Sequence, residues 1–124
     1  MQPVYTDAAP APAGHYSQGY IHNDRVFVSG QLPLKPDSDN SEPGDIEQQT
    51  RQCLHNVSEI LKAAGSDLSK VIKVTVYISD ITLWDRVNKV YAEMFGNHKP
   101  ARAVVPTRDL HFGCKVEIEA VAVL

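Results

Sequence analysis

The chain has few of the residues that build disulfide frameworks or metal sites. Cys53 and Cys114 are its only cysteines, too few for a disulfide framework and without metal-ligand spacing. The five histidines are scattered, and no two stand at the spacing of a metal site on a helix. We therefore expect no metal, and we expect both thiols to be small buried groups in a reducing, cytoplasmic compartment.

Long apolar runs and an excess of positive charge are missing as well. No segment approaches the roughly 20 apolar residues of a membrane span, and residues 1–14 lack the features of a secretory signal. The net charge of −3, from 12 basic and 15 acidic residues, argues against a nucleic-acid-binding surface. Phosphate-binding and dinucleotide-binding glycine motifs are absent. We expect no membrane partner, no nucleic-acid partner and no nucleotide cofactor.

The remaining composition is that of one globular domain spanning residues 1–124. With 43% hydrophobic and 22% charged residues, the chain can fill a core, and nothing indicates disorder. Apolar periodicity predicts two helices, with Asp45 and Asp80 as their N-caps and Gln48 completing a capping box at the first. The predicted helices are 45–64 and 80–95, and the predicted strands are 20–22, 25–29, 71–78, 101–107 and 114–123, with a short strand also compatible with residues 4–6.

The order β-β-α-β-α-β-β predicts an α+β domain with both helices on one face of a mixed sheet. Alternation in strand 71–78 assigns Ile72, Val74, Val76 and Ile78 to the helix-covered face. The other face is too apolar to be simply solvated and too polar for an ordinary core, which predicts packing against copies of the same chain. Its members are Lys73, Thr75, Tyr77, Glu117, Val121 and Val123.

Arg102 and Glu117 lie on two short apolar segments that are predicted to be neighbouring strands. A buried guanidinium is costly without an anionic partner, so either a nearby carboxylate or a ligand must supply one. Glu117 and Glu119 share one strand face, about 6.5–7 Å apart. Charges on one strand face usually meet water, so this pair fits a solvated charged edge; the functional alternative is a carboxylate that orients water or accepts a proton opposite an arginine that binds substrate.

Two glycine-bearing loops are further candidates for a ligand site. The polar, aromatic segment 14–19 lies between two glycines, and Ser29 with Gly30 follows an apolar run at a strand end. Glycine permits close approach of a ligand to the backbone, and strand ends often carry sites, although a plain turn before a strand also explains segment 14–19.

Taken together, these segments resemble the RidA family, the reactive intermediate deaminases once labelled L-PSP endoribonucleases. The resemblance extends nearly from end to end, and its specificity comes from the order and spacing of the segments. They are Gly14-His15-Tyr16-Ser17-Gln18, Val28-Ser29-Gly30-Gln31-Leu32-Pro33, Gln49-Thr50 with Asn56, Ala63-Ala64-Gly65, Val71-Ile72-Lys73-Val74-Thr75-Val76-Tyr77, Val87-Asn88-Lys89-Val90-Tyr91, Pro100-Ala101-Arg102 and Val116-Glu117-Ile118-Glu119-Ala120.

The resemblance implies a chorismate-mutase-like α+β fold and a homotrimer whose sheets form a central barrel with three clefts between subunits. It implies hydrolysis of reactive enamine and imine acids, such as 2-aminoacrylate, to 2-keto acids and ammonia, with no metal or organic cofactor. Two alternatives are a non-catalytic small-acid-binding or chaperone-like trimer and an endoribonuclease. The negative net charge disfavours the endoribonuclease.

The resemblance also implies roles for individual residues. Arg102 would hold the substrate carboxylate as a bidentate pair, and Glu117 would orient the attacking water. The cleft would be lined by Tyr16, Ser29 and Asn88, and the backbone near Gly30 and Val104 would contact the substrate nitrogen.

Three departures from the family pattern bear on substrate range more than on reaction class. His15 stands where the family usually has proline, and Ala103-Val104 replaces the commoner Ser-Cys after the arginine. The segment 110–113 reads Leu-His-Phe-Gly, so His111 replaces a second proline.

Overall fold

A mixed β-sheet of six strands carries two α-helices on one face, and the computed structural model describes residues 1–124. The elements are β1 (Gln2–Val4), β2 (Gly19–His22), β3 (Arg25–Gln31), α1 (Ile46–Ala63), β4 (Val71–Ile78), α2 (Trp84–Phe95), β5 (Ala101–Pro106) and β6 (Val116–Val123). The sheet order is β1-β2-β3-β6-β4-β5; β4 and β5 are parallel, and all other neighbours are antiparallel.

The predicted α+β class, with both helices on one face of a mixed sheet, is confirmed. One strand precedes the predicted order, because β1 pairs with β2 at the edge of the sheet. It lies at Gln2–Val4 and not at residues 4–6, since Val4 is the last residue to pair, opposite Gly19.

Helix α1 begins as its sequence predicts. The Asp45 carboxylate accepts a hydrogen bond from the Gln48 backbone N–H at 2.8 Å, and the Gln48 side chain accepts one from the Asp45 N–H at 2.9 Å. Such a cap typically stabilises a helix by about 1 kcal/mol. Leu54, Val57 and Ile60 on its buried face are completely covered by the sheet and by α2.

Helix α2 begins later than predicted. Asp80 caps a separate 3₁₀ turn, Ile81–Leu83, where its carboxylate accepts from the Thr82 backbone N–H at 2.8 Å. The α-helix proper starts at Trp84, because the tighter turn satisfies the cap before the α-helical hydrogen bonds begin. This offset places Trp84 in the first turn of α2.

Three strand predictions need correction. The segments carrying Arg102 and Glu117, predicted to be neighbouring strands, are β5 and β6, and β4 lies between them. Ile72 is 42% exposed and Val71 is fully buried instead, because the β4–β6 register shifts between Val71 and Lys73 and reverses which side chain faces the core. Strand β3 does not end at Ser29 but continues to Gln31, with an irregularity in its pairing to β6 after Val28.

The sheet face away from the helices mixes apolar and polar side chains, as predicted. Tyr77 and Val121 are half-buried there, and Phe27 is 45% exposed. Packing against further copies of the chain therefore remains a prediction.

Both cysteines are free and buried, as expected. Burial raises the pKa of the Cys53 thiol well above its ordinary value, and burial also raises the pKa of the Cys114 thiol. Neither α-helix combines the length and the apolarity that crossing a bilayer requires.

Candidate active site

The sheet separates the predicted site residues into two groups. Arg102 and Val104 on β5 pair with β4 residues that are fully buried against the helices, so both belong to the helix-covered side. Glu117 on β6 pairs with Tyr77 on the open face. Opposed residues of neighbouring strands share a face. One protomer therefore does not bring Arg102 and Glu117 into one cleft.

Arg102 is held by side chains of α2. Its Nη1 donates to the Asn88 Oδ1 at 2.9 Å. Its Cζ lies 4.6 Å from the ring centroid of Tyr91 and 5.6 Å from that of Trp84, within the range of a cation–π contact. None of the four ion pairs in the chain involves this guanidinium. The question raised by the sequence is thereby answered, since neither Glu117 nor Glu119 supplies its anionic partner within the protomer.

Glu117 borders a cavity of about 600 Å³ on the other side of the molecule. The cavity is enclosed by the loop before β2, the end of β3 and the 3₁₀ turn His111–Gly113. Tyr16, Ser29 and Gly30 line the same cavity, so four of the seven predicted site residues meet here. Arg102, Asn88 and Val104 are not among its walls.

Gly30 leaves the space that the Glu117 carboxyl group occupies. A Cβ added to Gly30 would lie 3.1 Å from both Cδ and Oε2 of Glu117, closer than non-bonded carbon and oxygen atoms normally approach. The irregular pairing of β3 with β6 falls at the same place. Glycine at this position therefore allows the Glu117 carboxyl group to lie close against the end of β3, where a larger residue would displace it.

The surroundings of Glu117 favour its protonated form. Burial is the main cause that raises its pKa, and the negative charge of Glu119 raises it further, whereas His111 acts in the opposite direction. The Tyr77 hydroxyl donates to Glu119 Oε1 at 3.1 Å, and burial together with that carboxylate raises the pKa of Tyr77. A half-buried carboxyl group with a raised pKa is suited to taking up and returning a proton.

Ser29 and Tyr16 attach the loop before β2 to the rest of the cavity wall. The Ser29 hydroxyl donates to the Ser17 carbonyl at 2.6 Å, and the Ser29 N–H donates to the Gln18 carbonyl at 2.9 Å. Tyr16 is half exposed, and its hydroxyl accepts from the Ala13 N–H at 3.2 Å. Ser29 thus uses its hydroxyl hydrogen within the protomer, and Tyr16 presents an accessible ring.

Gln18 is a supporting residue that sequence reasoning did not single out. It is 1% exposed, and its side-chain amide donates to the carbonyls of Thr6 and Pro10 at 3.0 and 2.8 Å. It also accepts from the Thr6 N–H at 2.7 Å. These bonds fix the segment that borders the cavity. Nothing in the local sequence distinguishes such a buried amide from an exposed one, because the distant segment decides its burial.

The aromatic residues around Arg102 were not predicted as site residues either. Tyr91 was named only as the end of the family-like segment 87–91, and Trp84 was given no role. Trp84 lies four residues before Asn88 and Tyr91 lies three after it. This spacing is the signal that places all three on one side of the helix. No group of three or more His, Cys, Asp or Glu side chains is arranged so that it could hold a metal ion.

The fold and the two groups of residues define a small α+β domain with a ligand-accessible cavity and a separate, unpaired arginine. Within that class, residues 6–124 match the family described as Endoribonuclease L-PSP. The chain belongs to this family, and its resemblance to RidA proteins is confirmed.

Relatives and solved structures agree with this assignment over nearly the whole chain. A RutC family protein of Pyrococcus horikoshii is 45% identical over 96% of this chain and 94% of its own length. The 2-iminobutanoate/2-iminopropanoate deaminase of Rattus norvegicus is 41% identical over 97% of this chain and 88% of its own. E. coli TdcF with bound serine superimposes with a TM-score of 0.94 at 37% identity, covering 100% of this chain and 99% of the other. Imine deamination is therefore a role found within the family.

Proposed function

We propose that the protein hydrolyses reactive enamine and imine acids, such as 2-aminoacrylate, to 2-keto acids and ammonia, in clefts between the subunits of a homotrimer. The observation that carries this proposal is the Arg102 guanidinium, which is held by Asn88 and two aromatic rings yet has no carboxylate partner in its own chain. A small carboxylate substrate would supply that partner. Relatives named imine deaminases at about 41% identity support the reaction.

The separation of Arg102 from Glu117 within a protomer supports a site shared between copies. If another subunit places its open sheet face beside β5, the arginine of one chain meets the glutamate of another. The open sheet face mixes apolar and polar side chains, and no other element of the protomer covers it. That composition supports the same arrangement, because another copy of the chain would cover it. The two buried free thiols are in keeping with a reducing, cytoplasmic compartment.

The reaction follows from these groups with water as the only co-reactant. Arg102 binds the substrate carboxylate through two N–H donors, and the backbone near Gly30 and Val104 contacts the nitrogen. An enamine becomes the imine by gaining a proton at its terminal carbon and losing one from its nitrogen to water, so no net proton is consumed. Water then adds to the imine carbon, and Glu117 relays two protons from the added oxygen to nitrogen, one on addition and one on collapse. Cleavage of the C–N bond releases ammonia and leaves the 2-keto acid.

The remaining residues contribute position more than chemistry. An imine is already electrophilic, so catalysis requires mainly a placed water, an oriented substrate and complementary charge. Tyr16, Ser29 and Asn88 order the walls and loops around that arrangement. Neither the addition of water nor the cleavage of the C–N bond needs a metal or an organic cofactor.

The first test is Arg102→Ala, assayed by 2-keto acid release from enzymatically generated 2-aminoacrylate. Loss of the charged partner is expected to lower kcat/KM by about a hundredfold or more. Circular dichroism and light scattering should show an unchanged fold and a trimer. Full activity in the variant would overturn the role of Arg102.

A second test addresses the shared site directly. Chains carrying Arg102→Ala and chains carrying Glu117→Gln are each inactive alone, and they are unfolded and refolded together. If each cleft draws the two residues from different chains, random assembly restores about one quarter of wild-type activity, since half the arginines and half the glutamates are intact. No recovery in mixed trimers would place both residues in one chain.

A non-catalytic small-acid-binding trimer is the second candidate, favoured by the bound serine in E. coli TdcF. Calorimetry would then detect saturable binding of 2-keto acids while no imine in a broad panel is turned over. The family description also names an endoribonuclease. Binding and cleavage of RNA at low salt by this acidic chain would favour that activity instead.

A further inference from the structure

We propose that Trp84 and Tyr91 are positioning residues that orient the Arg102 guanidinium for its carboxylate ligand. This inference deepens the proposed function, on which it rests, because it concerns how the same substrate-binding arginine is held. Neither aromatic residue needs to touch the substrate. Both act through the cation that does.

One side of α2 supplies the side-chain hydrogen bond and both cation–π contacts of this guanidinium. Trp84, Asn88 and Tyr91 stand at positions i, i+4 and i+7, which lie one above another along a helix. The Asn88 Oδ1 accepts a hydrogen bond from one guanidinium N–H. The Arg102 Cζ lies 4.6 Å from the Tyr91 ring centroid and 5.6 Å from that of Trp84. A guanidinium has five N–H donors, so four remain for a ligand.

The two rings differ in burial, and that difference separates a positioning role from a core role. Tyr91 is 6% exposed and packs on Phe95 with ring centroids 4.6 Å apart, so its ring is part of the core beneath Arg102. Trp84 is 37% exposed and lies outside the core cluster. Core packing therefore does not account for a tryptophan at this position, whereas contact with Arg102 does.

Preorganisation gives these contacts their effect on binding. Arg102 is on the edge strand β5, where a long side chain would otherwise move among many rotamers. The two cation–π contacts and the Asn88 hydrogen bond restrict it before the ligand arrives, so less conformational freedom is lost on binding. Since substrate and transition state use the same carboxylate contact, the rings should affect KM more than kcat.

Trp84 is the only tryptophan of the chain, so it reports on its own contact. Full-length wild-type protein is titrated with 2-oxobutanoate while tryptophan fluorescence is recorded with selective excitation. Occupation of Arg102 is expected to change Trp84 emission saturably. The same titration of Arg102→Met should show no saturable change. Absence of any binding to the wild type would overturn the inference along with the arginine site.

Calorimetry with 2-oxobutanoate then compares three variants. Trp84→Leu is expected to bind about fivefold more weakly, the size of one exposed cation–π contact. Trp84→Phe keeps an aromatic face and should remain within about twofold of the wild type. Ile81→Ala, which removes a 57% exposed apolar side chain three residues earlier, serves as the matched control and should bind as the wild type does.

The outcomes separate this inference from the proposed function. Unchanged affinity in Trp84→Leu, or equal losses in Trp84→Leu and Trp84→Phe, would overturn the positioning role. Weakened binding in Trp84→Leu by a protein that turns over no imine would support the positioning role and reject the deaminase. Where turnover is seen, KM should rise about fivefold in Trp84→Leu while kcat stays within about twofold.

Discussion

The two halves of the candidate site are built in different ways. The arginine half comes from one βαβ unit, in which a single stripe of α2 meets the edge strand that follows it. The glutamate half is assembled from segments far apart in sequence, including the loop before β2, the end of β3 and the 3₁₀ turn before β6. Local helical periodicity arranges the first half, whereas tertiary packing arranges the second.

The two halves also differ in the electrostatic surroundings of their charged groups. The guanidinium of Arg102 lies against aromatic faces, which stabilise its positive charge. The carboxyl group of Glu117 is half-buried beside another carboxylate, and its pKa is raised. One half is suited to holding a permanent ion, and the other to exchanging a proton. Four predictions can break or sharpen this contrast.

The largest effect is expected from Glu117→Gln, which removes the proton acceptor but keeps the shape of the side chain. We expect kcat to fall by about 10²–10⁴, the usual contribution of a general base. The affinity for 2-oxobutanoate, measured by calorimetry, should change much less than in Arg102→Ala. Equal losses of affinity in both variants would abolish the distinction between a binding half and a chemical half.

Gly30→Ala should disturb the glutamate half alone. The new Cβ would lie 3.1 Å from the Glu117 carboxyl group and force it to move, which we expect to lower kcat about tenfold. Gly14→Ala is the matched control, because its Cβ would meet the Tyr16 ring at an ordinary 3.5 Å. Wild-type kcat in Gly30→Ala would show that Glu117 does not depend on this close approach.

The pH dependence of kcat should respond to the neighbours of Glu117 with opposite signs. Activity requires the ionised carboxylate, so it is lost as the pH falls through the pKa of Glu117. Glu119 raises that pKa, so Glu119→Gln should move the acidic limb to lower pH. His111 lowers it, so His111→Ala should move the limb to higher pH. Shifts in the same direction would contradict this electrostatic arrangement.

The smallest effect concerns the stability of the arginine half. The Tyr91 hydroxyl is buried and has no hydrogen-bond partner in the protomer. Tyr91→Phe keeps the ring beneath Arg102 and removes that unsatisfied group, which should raise the free energy of unfolding by about 1 kcal/mol. Urea titration at one fixed protein concentration measures the change. A decrease would indicate that another copy of the chain bonds the hydroxyl.

Sequence patterns predicted those parts of the fold that depend on near neighbours. The capping box at Asp45 and the alternation along β6 both appear in the structure as predicted. The errors at Ile72 and at the start of α2 have a different origin. A strand irregularity and a 3₁₀ turn are decided by pairing and packing with other elements, and period-based reasoning assumes a regular element.

The candidate site shows the same division. Residue chemistry drew attention to Arg102 and Glu117, and the family resemblance implied their roles. Neither could indicate that the sheet places them on opposite sides of one protomer. Successive residues of a strand point to opposite faces of the sheet. Which face a residue shares with a residue of another strand therefore depends on the register between the strands, which the sequence does not show. Gln18 and Trp84 were missed because their partners lie in other segments of the chain.

The sequence by itself determined the helices, most of the strands, the α+β class and the presence of an arginine that needs an anion, because these depend on side-chain chemistry and short-range periodicity. The tertiary structure alone decided that Arg102 is held by α2, that Glu117 is half-buried against Gly30 and that the two are kept apart. These features arise where segments distant along the chain come into contact, and there burial, register and close approach set the properties of each group.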